Sequence, residues 1–371
     1  MGATRRFDVP TRRRLVACVV LVVLCRVARE LFARRASWFF PAYRIMSKTL
    51  MGALALLCSV APFTLWDMGI LALVVLALVT LVRRVRARES LLPLLSWVLL
   101  GVSCTYATFT LGWALNHYAP PLSDELGLEV RAYDTEELTE ATTHYLEEAA
   151  RLAPQVPREE DGSLERQDFY QLARVAGGSY KGLAERWPLL AGPDVPVKAL
   201  LVWGYPLLYS GHTGIFWAAT GEAGVPLDCA VADEPFVMCH EAAHRLGIAS
   251  EQEANFAAFL ACSASEDVRF AYAGSYNAFA YCFNALYRYD PDGAQQLLTG
   301  YAQTDLARGV ALVWNDRIDA HEHYDAYEGP FEKVGTTVND GYLKSFGEAE
   351  GVRSYGLVVD YLIAWYQTDS L

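Results

Sequence analysis

The chain has 371 residues, 53% of them hydrophobic, and a formal net charge of −12, which leaves room for a membrane anchor plus one sizeable globular domain. The charge is unevenly divided: the first 90 residues hold fifteen Lys and Arg against four acids, the rest sixteen against thirty-nine. An acidic body without a basic stripe repels phosphate backbones and weighs against nucleic acid as a partner.

The head reads as membrane anchor. Leu15 to Cys25 is apolar, preceded by Arg12-Arg13-Arg14 and followed by Arg26 and Arg29. This uncharged run is short for a span and crosses only if Arg26 snorkels. No Ala-x-Ala-like site follows it, so it is expected to be an uncleaved anchor. Thr49 to Val82 carries one charge, Asp67, and Leu91 to Ala114 carries none. If the former holds one helix, the N-terminal arginines and Arg83 to Arg88 lie on one side, which the positive-inside rule makes cytoplasmic. Three spans, near 15–31, 68–82 and 91–114, then place the body outside the cytoplasm, with Trp38 to Trp66 an amphipathic piece at the outer surface. Two helices turning at Pro62 to Asp67 would give four spans and an outward-facing arginine cluster.

Residues 1–117 are expected to form this anchor and 118–371 the body, which starts at the linker Ala119-Pro120-Pro121-Leu122-Ser123. Asp134 to Leu152 and Leu164 to Trp187 have helical apolar spacing after acidic starts. Val197 to Trp203 is β-rich, and Gly214 to Thr220 reads as another strand bounded by glycines. From Pro235 the pattern is mainly helical, with breaks near Pro291-Asp292-Gly293 and Gly347. Of the eight cysteines, none forms a CxxC pair, which removes a zinc ribbon or thioredoxin motif; Cys229 and Cys239 read as core residues rather than a disulfide.

The chemistry sits in His240-Glu241-Ala242-Ala243-His244. Two histidines four apart project from one helical face and can hold one Zn²⁺, and Glu241 beside them can deprotonate a water on the metal. Chance yields such a pentapeptide about once in a hundred chains of this length. Leu246-Gly247 reads as a helix end with Gly in the left-handed position. Ser250-Glu251-Gln252-Glu253 then matches a capping box, with Ser250 capping the Glu253 amide and Glu253 reaching back. That leaves Glu251 as third ligand, with Glu253 the alternative, and Asn255 to orient a liganding histidine. His117, His144 and His212 have no partner at ligand spacing, and His321 and His323 read as surface groups in an acidic loop.

Gly214-Ile215-Phe216, Thr220-Gly221-Glu222-Ala223, the stretch His240 to Gly247, and Glu251 to Phe256 resemble the bacterial membrane proteins catalogued as domain of unknown function 3810. Tyr342-Leu343-Lys344 and Gly351 to Gly356 fit the same family. More distantly, HExxH followed by Glu251-x-x-Ala254-Asn255 is similar to gluzincin membrane peptidases such as the CAAX prenyl protease and the HtpX-type protease. Here Asn255 stands in place of their Asp, and the interval from His244 to Glu251 is much shorter.

The resemblance implies an α+β chain: multi-pass transmembrane helices, then a mainly helical zincin-like domain with a small β-sheet. It implies a zinc metallopeptidase with Zn²⁺ on His240, His244 and Glu251, Glu241 as base, and a protein or peptide as substrate at the bilayer. Substrate backbone is expected to pair with an edge strand, Gly214 to Thr220. Tyr355, Arg353 and Tyr281 are the candidate oxyanion donors, and Tyr355 is the one assigned to catalysis. The alternatives are a non-catalytic zinc-binding membrane receptor or scaffold, which would want four protein ligands, and a transporter, for which Asp67 is the only intramembrane charge.

Overall fold

The computed structural model describes residues 8–346 and 358–369. It is mainly helical with one small sheet, in keeping with the expected α+β class. Helix α1 (Val9–Cys58) is broken at Arg35, whose φ of −144° and ψ of 37° leave the helical region. The half before the break runs alongside α3 (Leu92–Gly112). Arg14 Nε donates to Ser96 Oγ at 2.8 Å and its guanidinium lies over Trp97, so the N-terminal arginines sit at the same end as the Arg83–Arg88 loop. After the break the helix turns back across the far end of α3: Phe32 and Tyr43 meet edge to face, and Ser47 Oγ donates to the Gly112 carbonyl at 2.7 Å. This second half is two-faced, with Met51 and Ala55 buried and Trp38, Ile45 and Leu57 exposed, the pattern of a helix lying in an interface.

Among the described residues two helices are long and apolar enough to cross a membrane, α2 (Leu65–Arg86) and the stretch Leu92–Tyr118. The segment before Arg35 is not one of them, because its arginines interrupt the apolar run.

Residues on the head side of the expected boundary at 118 pack into the body. The turn between α1 and α2 adds a rung to the sheet: Thr64 N–H donates to the Ala199 carbonyl and Ala199 N–H to that of Pro62. Asp67 accepts the amides of Leu201, Val202 and Trp203 at 2.7, 2.8 and 2.9 Å. Glu222 reciprocates, accepting the first amides of α2 from Leu65 at 2.9 Å and Trp66 at 3.2 Å, where a helix N-terminus favours negative charge. It also holds Lys198 at 2.8 Å.

The body begins with the short α4 (Leu122–Leu126) and then α5 (Thr135–Leu152), whose Asp134 and Glu137 form a capping box. The expected helix over 164–187 is divided into α6 (Phe169–Gly178) and α7 (Leu183–Arg186). Near the division, Gly177 passes so close to the Val195 backbone that a side chain there would overlap it. The sheet follows, as β1 (Lys198–Leu200), the short α8 (Gly204–Leu208), β2 (Ile215–Trp217) and β3 (Glu222–Pro226). Its order is β1-β3-β2, parallel between β1 and β3 and antiparallel between β2 and β3. Strand β2 therefore stands at an edge, with no strand on its other side among the described residues.

The remaining elements are α9 (Glu234–Arg245), α10 (Glu251–Ser263), α11 (Val268–Tyr289), α12 (Pro291–Thr299), α13 (Ala307–Asp325), α14 (Pro330–Ser345) and α15 (Val358–Asp369). Their apolar faces make one core with the sheet and α5. The break expected at Pro291 falls there, with Asp290 capping α12; the one expected at Gly347 lies outside the described residues. His321 and His323 lie on helix α13 rather than in a loop. All eight cysteines are free, and Cys229 and Cys239 are both buried.

Glu222→Ala is expected to cost about 3–5 kcal/mol, because it strands the buried Lys198 ammonium without its carboxylate. A lowered unfolding midpoint of the detergent-solubilised protein would register it, and an unchanged midpoint would refute the role given to this pair.

Candidate metal centre

All twelve residues of α9 are buried, so its polar side chains must find partners inside the protein. The helix ends as its sequence requires, with Gly247 at φ 89° and its amide bonded to the His244 carbonyl at 3.0 Å. The reversal brings Ile248 back under His244, whose Nδ1 lies 2.7 Å from the Ile248 carbonyl. A carbonyl only accepts, so Nδ1 carries the proton and Nε2 of the neutral ring is left with a lone pair.

After the turn, α10 delivers Glu251. His240 Nε2 lies 3.0 Å from His244 Nε2, and Glu251 Oε2 lies 3.1 Å from the first and 3.6 Å from the second. Ligand atoms at tetrahedral corners about 2.0–2.1 Å from a zinc ion would be about 3.3–3.4 Å apart, so the three edges fit such an ion. Among the described residues these three are the group of His, Cys and acidic side chains able to hold a metal. Cys239 is turned toward Ser179 and is no fourth donor. Three protein ligands leave one position open, as in hydrolytic rather than structural sites.

Charge is shared within the trio. Burial works against a charged His244, but the Glu251 carboxylate outweighs it and raises the imidazole pKa to about 9. Burial opposes charge on Glu251 as well, and the two imidazoles overcome it, holding that carboxyl far below its ordinary range. Glu241 differs: burial pushes its pKa up to about 7 against the pull of His240 and His244. Its Oε2 is buried without a hydrogen-bond partner. A carboxylate poised near neutrality with an unsatisfied oxygen is suited to taking and returning a proton. Gly214, just before β2, approaches so closely that any side chain there would overlap Glu241, which puts the open strand edge beside this carboxylate.

The capping box expected at Ser250 does not form. Ser250 makes no side-chain cap, and Glu253 instead accepts the Leu122 amide at 2.7 Å and the Tyr361 hydroxyl at 3.1 Å. Tertiary partners outcompete the local cap, and Glu251 rather than Glu253 reaches the histidines. Asn255 lines the same cavity but its Nδ2 is buried without a partner, so among the described residues it orients neither histidine. Tyr281 lines the cavity too, its phenol held protonated by burial. Tyr355 and Arg353, the other candidate donors, lie outside the described residues.

Two residues at the site were not singled out. Trp113, at the end of α3, donates its indole N–H to the His244 carbonyl at 2.7 Å and sits edge-on to that ring. His212 lines the cavity beside β2, and burial lowers its pKa. The Ser210 hydroxyl spends its proton on the Leu207 carbonyl, so it accepts from His212 Nδ1 at 3.0 Å and leaves the neutral ring's Nε2 bare. His212 has no HxxxH partner, so spacing gave no signal for it.

The profile of a family described as Protein of unknown function (DUF3810) matches residues 42–363. The chain belongs to that family. No curated protein and no solved structure matches it.

Substitution of either histidine removes one of three donors, so His240→Ala and His244→Ala are each expected to abolish stoichiometric zinc binding, while Glu253→Gln leaves it intact. Metal analysis of the purified proteins decides this, and full zinc content in both histidine variants would rule out the centre.

Proposed function

We propose that this member of the DUF3810 family is a membrane-bound zinc metallopeptidase of gluzincin type. The observation carrying the reading is the convergence of His240, His244 and Glu251 around one point, with the unsatisfied Glu241 oxygen beside them and an open strand edge alongside. His240, His244 and Glu251 would hold the ion, and a bound zinc supplies acidity to water and polarises a carbonyl. The rest is the protein's own work. Strand β2 offers unpaired backbone groups to a peptide in extended form, and Gly214 lets that peptide approach Glu241. Glu241 takes the proton of the attacking water and returns it to the departing amine. Tyr281, protonated, is the described side chain able to donate toward the developing oxyanion.

The chain is further proposed to cross the bilayer three times, with the body outside the cytoplasm. Support comes from the Arg14–Ser96 contact, which keeps both arginine clusters at one end, and from the exposed apolar face of residues 36–58 near the opposite end. The positive-inside rule assigns the arginine end to the cytoplasm.

Glu241→Gln is expected to retain zinc and fold but lose at least about 10²-fold in peptidase rate, and a chelator should abolish parent activity until zinc is restored. A variant as fast as the parent would remove Glu241 from the mechanism. A zinc-loaded parent inert toward a broad peptide library would favour the non-catalytic scaffold.

Topology is tested separately with reporters fused after Leu371. Activity of a periplasm-specific reporter is expected; activity of a cytoplasm-specific one would instead support four spans.

A further inference from the structure

The site opens into a cavity of about 2400 Å³ that extends past the edge of β2 and down between α2 and α3 as far as Arg84 and Pro93. Helix α1 packs along α3, whereas α2 barely touches either, and only Trp66 and Asp67 of α2 are buried. The gap is walled by Val74 and Ala77 on one side and Val98 and Val102 on the other. From Trp66 to Arg84 a helix rises about 28 Å, close to the thickness of a bilayer's hydrocarbon core. A third wall comes from α14, where Phe331, Val334 and Val338 line the cavity yet are 71, 60 and 67% exposed. An apolar stripe of this kind, left uncovered, marks a binding surface.

We propose that the substrate is a polypeptide with an apolar membrane-embedded helix that enters sideways between α2 and α3, its juxtamembrane end extended along β2. This rests on the peptidase reading. A helix with its side chains is about 10 Å across, and one about 28 Å long fills a cylinder of about 2200 Å³, the same order as the whole cavity, in which the candidate site and the β2 edge are included. Lipid chains would satisfy the apolar walls but not the open backbone edge of β2, which a peptide satisfies. The path also sets where cleavage falls. Trp217 stacks on Trp66 at 4.6 Å, at the top of α2, and Gly214 beside Glu241 is three residues back along the strand, about 10 Å. The bond cut lies about three to five residues beyond the end of the apolar helix.

The test uses the full-length protein in nanodiscs and a defined probe, a 20-residue Leu/Ala helix with an eight-residue polar extension. A benzophenone amino acid is placed at Val74, at Val102, or at Val75, which lies outside the cavity lining on the opposite face of α2. In the Glu241→Gln background, capture of the probe at Val74 and Val102 is expected to exceed that at Val75 about tenfold, equivalent to roughly 1.4 kcal/mol of preference for the groove. In the zinc-loaded parent, a mixture of such probes with varied extensions should be cleaved in the extension, and faster than the same extensions free in solution. Equal capture at all three positions, or capture of lipid alone, overturns the inference. If free peptides are cleaved in a Glu241-dependent way while the helix is not captured, the inference falls and the peptidase reading stands. If the helix is captured but no extension, tethered or free, is cleaved, the peptidase reading falls and with it the helix's status as substrate.

Discussion

A buried charge must be answered by another group, and two carboxylates meet that demand by fastening the body to the long apolar helix α2. Asp67 of α2 satisfies three amides after β1, and Glu222 of β3 satisfies the first amides of α2 while neutralising Lys198. Each element thus completes the other's unsatisfied backbone, and neither can shift without exposing several donors at once. Since β3 is the partner of β2, the same contacts fix the open strand edge relative to the top of α2. The position of the candidate site relative to the top of α2 follows from these few hydrogen bonds.

The site is supported from α3 and α1 as well. Trp113 terminates α3 and holds the His244 carbonyl, so the last turn of α9 is anchored by a helix that begins at the arginine loop. Gly221, at φ 65°, sits against the α1 backbone at Met51 and Ala55, where a side chain would not fit. Helix α9, being wholly buried, cannot relieve strain by tilting into solvent. Its imidazoles are held by Ile248 and Glu251, while Glu241 is left an unsatisfied oxygen. An unsatisfied buried carboxylate costs stability, and such a cost is retained where a group has a task other than packing.

What could be read from sequence was what depends on local spacing. The four-residue interval put His240 and His244 on one face, and Gly247 marked the turn that returns Glu251 to them. The bounds of α5 and the starts of β1 and β2 followed from caps, β-branched residues and glycines, while both strands end three residues before the expected Trp203 and Thr220. What could not be read depends on partners distant in sequence. Ser250 to Glu253 has the form of a capping box, yet Leu122 and Tyr361 draw Glu253 away. Leu164 to Trp187 has a continuous helical pattern, yet close packing at Gly177 accompanies its division. His212 is a lone histidine in the chain, and the fold carries it to the cavity.

The polarity change at residue 118 illustrates the same limit. Composition separates an oily head from an acidic body, because membrane and water select different side chains. Packing follows a different rule, the satisfaction of backbone groups and apolar area, and by that rule residues 43–67 are joined to the sheet and to α3. Hydrophobicity in this segment therefore has two causes. Trp38, Ile45 and Leu57 are apolar because they are exposed on the outer face of α1, whereas Met51 and Ala55 are apolar because they are core. A single hydropathy average merges these two causes, and alternation of the two faces along one helix is the feature that separates them.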